Sequence, residues 1–279
     1  MVLVLASSVT HAWWNLLAKR AGAGHAFFGV TAWLQVLLFA PAAVWLAWGY
    51  DWPARAPLYV LVGAALVGLN YLALTGAYQR LDLGVAYPIG RSSTLFLPLI
   101  AFPLLGESID STGWLALTLV TAGVLLVQHH PDTRWRLVDP KGVGWAVLAA
   151  VTLAGYTVWD KYVIRELAPL LYLYCYNTVI AAGYAPALVR AHGNGELKHV
   201  WRAHRWPAVQ VAVLNTVTYA LVLFALGLEK ASYVGALRQT SLVIGMALGV
   251  WLLREPLTWL RVLGVALIVA GSAAATVAG

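Results

Sequence analysis

Two arginines stand where an apolar chain rarely places charge. Arg91 lies in VAYPIGRSSTLFLPL and Arg238 in ASYVGALRQTSLVIG, each within an otherwise apolar run. On an insertion scale an isolated charge at such depth costs about 2.5 to 3.5 kcal/mol, so each should face a cavity or a partner rather than hydrocarbon. A guanidinium offers a planar fork of donors that fits a carboxylate or phosphate group. Two of them at similar places suggest an anionic or zwitterionic small molecule as the bound species. The bland alternative is that either arginine satisfies a backbone carbonyl or a helix end, or snorkels to the membrane interface.

Other polar groups could join them. His11, Trp14, Asn15 and Lys19 recur at three- and four-residue spacing, which on a helix makes one stripe that should look inward. His11 is the one group among them that titrates near physiological pH. Asn70, Tyr71 and Tyr87, with Tyr156, Asn215, Tyr219 and Gln239, add amides and phenols along apolar runs, where they either touch substrate or join helices. Pro88 and Gly90 precede Arg91, and a proline without its donor beside a glycine predicts a kinked or unwound backbone there. Gly245 and Gly249 form a small-xxx-small pair, which predicts close helix packing. Glu107 and Glu255 are read as helix-terminus caps.

Several chemistries are disfavoured. His129, His130 and Asp132, and His192, His199 and His204, lack the helical spacing of a metalloprotease motif, and Cys175 is the only cysteine, so no metal site is expected. No phosphate-binding glycine loop precedes a Lys-Ser/Thr pair, so neither ATP-driven pumping nor a cofactor is expected. No Asp or Glu is read in the middle of a span, so a carboxylate proton relay is not expected, although His11 leaves proton coupling open.

The elements that must position these residues follow from composition. The 279 residues are 61% hydrophobic and 10% charged, against roughly 25% charged in a soluble domain. A span takes roughly 20 apolar residues, and apolar runs separated by charged or Pro/Gly punctuation predict ten: 2–19, 25–49, 57–79, 84–105, 111–129, 142–163, 168–190, 206–228, 232–253 and 258–278. The net charge of +7 falls in ones and twos between these runs, a pattern of membrane-edge loops rather than a nucleic-acid surface. Lys and Arg concentrate on the face opposite the termini, which by the positive-inside rule favours both termini outside. Tryptophans at span ends, including Trp45, Trp48, Trp114, Trp145, Trp206 and Trp259, are expected as interfacial anchors. Met1 leads directly into the first span, with no basic stretch before it, so a retained helix is expected rather than a cleaved leader.

The chain also repeats. A shift of 142 lays Ser8–Lys19 on Ala150–Lys161, and a shift of 148 lays Tyr71 on Tyr219, Ser93 on Ser241, Glu107 on Glu255 and Ala122-Gly123 on Ala270-Gly271. Five crossings per copy make the second copy enter the membrane in the opposite sense, which defines an inverted repeat. The expected units are residues 1–130, a linker at 131–141, and residues 142–279.

HAWWNLLAKRAG, VAYPIGRSSTLFLPLIAFPLLGE and ASYVGALRQTSLVIGMALGVWLLREPLTWLRVLGVALIVAG resemble the paired EamA domains of bacterial drug/metabolite transporters. That resemblance implies an all-α integral membrane protein of ten helices, with a central cavity lined by the first, third and fourth helices of each half. It also implies export of metabolites or drugs across the bacterial plasma membrane. The termini it implies are inside, against the positive-inside rule, so the orientation stays open. Pro88 and Gly90 in the first half stand where the second half has Ala236 and Arg238, so an asymmetric cavity is expected. The expected activity is secondary transport of a small polar metabolite with anionic character by alternating access. The alternatives are export of cationic aromatic drugs, with the arginines structural, or a membrane enzyme or non-transporting subunit.

Overall fold

A computed structural model describes residues 1–21, 24–128, 139–254 and 257–278, the side chains of Leu83, Gly84, Tyr87, 185–189, 191–194, Leu253 and Ala278 excepted. The described residues build eleven helical elements: α1 (Val2–Arg20), α2 (His25–Ala47), α3 (Ala56–Tyr78), α4 (Leu83–Arg91), α5 (Ser93–Leu105), α6 (Ser111–Val127), α7 (Pro140–Val163), α8 (Pro169–Leu228), α9 (Ala231–Arg238), α10 (Thr240–Leu253) and α11 (Trp259–Ala278). Seven helical stretches are long and apolar enough to cross a membrane. Ten crossings result when α1, the shorter α6 and the first limb of α8 are added. Polar residues facing inward, Ser7, Ser8, Thr10 and His11 among them, account for the lower hydropathy of α1.

Three departures from the sequence pattern matter. The polar stretch 190–205, expected as a loop, is helical, so the seventh and eighth spans are two limbs of α8. Those limbs are antiparallel all the same. The rings of Tyr176 and Tyr219 lie 6.2 Å apart, whereas 43 residues of straight helix would separate them by about 65 Å. The chain therefore reverses between them.

The fourth and ninth spans are each broken. At Ser92 and Gln239 the backbone bonds run to the third residue back, Ser92 N–H to Ile89 O and Gln239 N–H to Ala236 O, both at 3.0 to 3.1 Å. Pro88 and Gly90 account for a break in the first half. The second half breaks at the same place without them, so the interruption belongs to the repeat rather than to that one proline.

Of the expected Gly245 and Gly249 pair, Gly249 is buried, but a Cβ on Gly245 would meet nothing within 4 Å. Close contact occurs instead where α6 meets α11. A Cβ on Gly123 would stand 2.6 Å from Gly264 O, and one on Gly271 would stand 2.7 Å from Ala116 O. In hydrocarbon, helices gain little from apolarity alone, so small residues that bring backbones together hold such pairs. These glycines come from the matching last helices of the two halves.

The remaining packing follows the same pseudo-symmetry. α7 lies against α3 and α5 as α1 lies against α8 and α10. Among the tryptophans, Trp45, Trp48 and Trp259 are exposed at helix ends as expected, and Trp206 is exposed within α8, where its second limb begins. Trp145 is not an anchor: a Cβ on Gly76 of α3 would meet its ring at 2.6 Å, so the indole packs across the α3–α7 seam, beneath Arg80 at 6.0 Å.

Candidate functional site

The two broken helices bring their ends to one cavity between the halves. Arg91 closes α4 and Arg238 closes α9, and both line it. Ser7, Ser8 and His11 of α1 line it too, with Ser93 and Leu97 of α5, Leu153 and Thr157 of α7, Gly235 of α9, then Gln239 and Ser241. None of these is acidic. The volume is about 30 Å³, room for a water or two, so a metabolite requires the halves to move apart.

Repeat-equivalent positions face each other across this space: His11 and Leu153 under the shift of 142, and Arg91 and Gln239, Ser93 and Ser241 under that of 148. Arg238 corresponds to Gly90, so the second arginine is an addition to the repeat rather than its copy. The first and fourth helices of each half supply the lining, and the third helices do not. The carbonyl oxygen of the Gln239 side chain is buried without a partner. Its amide donates to Gly235 O at 3.5 Å.

Hydrogen bonds from α1 to the second half fix the cavity wall. Thr218 of α8 donates to Thr10 at 2.7 Å, and Thr240 of α10 donates to Ser8 at 2.9 Å. His11 meets the Trp14 ring edge-on at 5.0 Å. Trp14 packs with the cluster around Phe27 and Ala212. Asn15 is exposed and donates to His11 O at 2.7 Å, spending its amide within α1. The inward stripe on α1 therefore runs through Ser7, Ser8 and His11, and Asn15 and Lys19 lie off it.

Other expected site residues lie elsewhere. Asn70 is buried and donates to Ala149 O at 2.7 Å and to Thr152 at 3.1 Å, so its amide holds α3 to α7 rather than lining the cavity. Tyr71 is 58% exposed. Asn215 is half-buried on the second limb of α8, away from the lining. The side chain of Tyr87 lies outside the described residues. Tyr156 and Tyr219 form a cluster behind Arg238, whose guanidinium sits 5.5 Å over the Tyr219 ring. Their own rings are 6.5 Å apart.

Two acidic groups behave differently from expectation. Glu107 caps a helix, but a helix of the other half. Its carboxylate accepts from Ala231 N at 2.8 Å and from Ser232 N at 3.5 Å at the start of α9, and pairs with Lys161 of α7 at 3.1 Å. Lys161 also donates to Glu229 O. The start of α6 is capped instead by Asp110, which accepts from Gly113 N at 2.8 Å. Glu255 lies outside the described residues, as do His129, His130 and Asp132.

Asp160 is the second. It is 1% exposed within the bundle, contrary to the reading that the spans hold no interior carboxylate. Beside Lys161 and near a span end it looks like an ordinary charged helix terminus. What buries it is the return of α8, which no local pattern shows. Among the described residues no group of three or more His, Cys, Asp or Glu side chains is placed to hold a metal.

The comparisons with known proteins agree with this architecture. A solved crystal structure superposes with a TM-score of 0.77 at 18% identity, covering 99% of this chain and 96% of its own, a likeness of fold. A relative from Pseudomonas fluorescens, "Probable 4-amino-4-deoxy-L-arabinose-phosphoundecaprenol flippase subunit ArnE", is 39% identical over 64 residues, 23% of this chain and 56% of the relative. Its namesake from Pectobacterium atrosepticum is 31% identical over 70 residues, 25% of this chain and 62% of the relative. The chain thus spans little more than half the length of these curated relatives. The EamA-like transporter family matches twice, over residues 1–128 and 140–277. With both halves matched, the chain belongs to the EamA-like transporter family and is a multi-pass membrane protein.

Proposed function

We propose that this protein is a secondary transporter of the bacterial plasma membrane that moves a small polar metabolite carrying an anionic group. The observation that carries the reading is the convergence of Arg91 and Arg238, from matching helix breaks, on one cavity with no acidic lining residue among the described residues. In a low-dielectric cleft two guanidinium forks favour a carboxylate or a phosphate ester. Gln239 supplies an unpartnered acceptor for a hydroxyl or amine elsewhere on the substrate. The relatives' names carry a phospho group, which supports the anionic class and makes phosphate esters the first compounds to try. Units 1–130 and 142–279, joined by 131–141, would rock about the cavity and expose it alternately.

Tyr156, Tyr176 and Tyr219 favour a second reading, export of cationic aromatic compounds. The experiment is uptake into liposomes containing the purified protein, with labelled phosphate esters and carboxylates in one set and cationic dyes in another. Anion uptake that Arg91→Ala with Arg238→Ala abolishes supports the proposal. Dye movement alone, indifferent to both substitutions, favours drug export and overturns it.

A further inference from the structure

Asp160 is a buried charge that anion binding leaves unused. Its Oδ1 accepts from the Tyr172 hydroxyl at 2.7 Å and its Oδ2 from the Tyr219 hydroxyl. One donor comes from each limb of α8. The Tyr172 hydroxyl occupies the space left by Gly63 of α3, where an added Cβ would lie 2.2 Å from it. α5 presents Leu97 and Ala101 to this cluster, and α4 meets α7 further along, at Ala146 and Ala149. The remaining titratable neighbours are Tyr156 on α7 itself and Tyr176 on α8, whose ring is 5.1 Å from Tyr172. The facing cation is Arg238 of α9, which approaches through the Tyr219 ring.

The packing of the repeat does not demand an acid here. The shift that lays Lys161 on Lys19 lays Asp160 on Ala18, so the first half builds the same helix with a methyl group. A carboxylate desolvated against two neutral hydroxyls is costly to keep, and such groups inside membrane bundles mark ion pathways. Here one side chain, Tyr219, touches both this carboxylate and an arginine of the cavity.

We propose that Asp160 is the coupling site of this transporter, taking one proton from the aqueous phase onto its carboxylate and releasing it once per cycle, with Tyr219 passing its charge state to Arg238; the proposal rests on the anion reading above. Ionised, Asp160 draws on the charge of Arg238 through the Tyr219 ring, where the guanidinium sits while it lines the cavity, and competes with the anion for it. Protonated, it exerts no such pull, and the guanidinium is committed to the anion. Proton and anion therefore favour each other's binding, reciprocally, and travel together.

Infrared difference spectroscopy on the purified protein in lipid vesicles, stepped in pH, reads the carbonyl band of a protonated carboxyl group without any substrate. The wild type is expected to show a band that Asp160→Asn removes. Its midpoint is expected to move by about one pH unit or more in Arg238→Ala, the influence an opposite charge exerts at close range. In a Tyr219→Phe background, which keeps the ring and deletes the hydroxyl, Arg238→Ala is expected to move the midpoint far less. Identical spectra for wild type and Asp160→Asn, or a midpoint indifferent to Arg238→Ala, would overturn the proposal. If no labelled phosphate ester or carboxylate enters wild-type liposomes, the anion reading fails and the spectra alone decide the role of Asp160. If they do enter, a pH gradient is expected to concentrate them inside wild-type liposomes, whereas Asp160→Asn equilibrates them only to the external level. Gradient-driven accumulation by Asp160→Asn would contradict coupling at this site while leaving the anion reading intact.

Discussion

Arg238 is held by an aromatic face and Arg91 ends a helix that a proline interrupts, so the two guanidiniums are presented differently to one ligand. Because a fork and a point charge differ in donor geometry, Arg238→Lys should retain transport with KM raised about tenfold, equivalent to about 1.4 kcal/mol of binding. Initial rates of anion uptake across a concentration series check this. Asn70 is the contrast case. Asn70→Ala removes two bonds from α3 to α7, where Thr152 still donates to Leu148 O and Ala149 O, and should cost about 1 kcal/mol of stability. Thermal unfolding in detergent should fall accordingly while KM for the anion stays unchanged. The inward direction of the arginines was legible because charge in hydrocarbon leaves few choices. The direction of each amide and phenol was not. Asn15 and Asn70 are alike as residue types, but one bonds within its own helix and the other across a seam, a distinction set by tertiary neighbours. Asp160 was missed for the same reason.

Helix ends carry the repeat into three dimensions. α5 stops at Gly106, φ 70°, and α10 stops at the matching Arg254, φ 55°. Glycine adopts this left-handed conformation freely, whereas a residue with a Cβ gives up about 1 to 2 kcal/mol. Arg254→Gly should therefore raise stability by about 1 kcal/mol, read as a higher midpoint of thermal unfolding. The α6–α11 seam responds in the opposite way. Gly123→Val places a branched side chain against Gly264 O and should destabilise by about 1 to 3 kcal/mol. Both helices of this seam were legible, including the Ala-Gly pairs that the repeat aligns. Which glycines touch was not, since Gly245 satisfied the same spacing rule and meets open space. The break before Gln239 was illegible too, because ASYVGALR contains no helix breaker at its end and only the kinship with the Pro88 region suggests an interruption.

Across the whole molecule, the Glu107 carboxylate joins the first half to α7 and α9 of the second on the membrane face that carries the termini. The shifts that define the repeat lay Lys161 on Lys19 and Glu107 on Glu255, so the same residue types recur in both halves of the sequence. Glu107→Ala takes the ion-pair partner from the half-buried Lys161, which keeps Glu229 O, and leaves the helix-terminal amides of Ala231 and Ser232 without their acceptor, at a cost of about 1 to 3 kcal/mol. It should also raise labelling of the cavity from the terminal face by a membrane-impermeant thiol reagent, read at a cysteine placed at Ser241. The ten crossings follow from length and apolar runs, and the duplication from the residue matches at shifts of 142 and 148. The latch does not, because it depends on which carboxylate reaches which helix end. The central claim, that an anion is held between the halves by Arg91 and Arg238, is tested most directly by protection of that cavity. With Ser8→Cys on a Cys175→Ser background, a transported phosphate ester or carboxylate should slow thiol labelling in proportion to its occupancy. The same anion should give no protection once Arg91→Ala and Arg238→Ala are added. Equal protection with and without the two arginines would contradict the account.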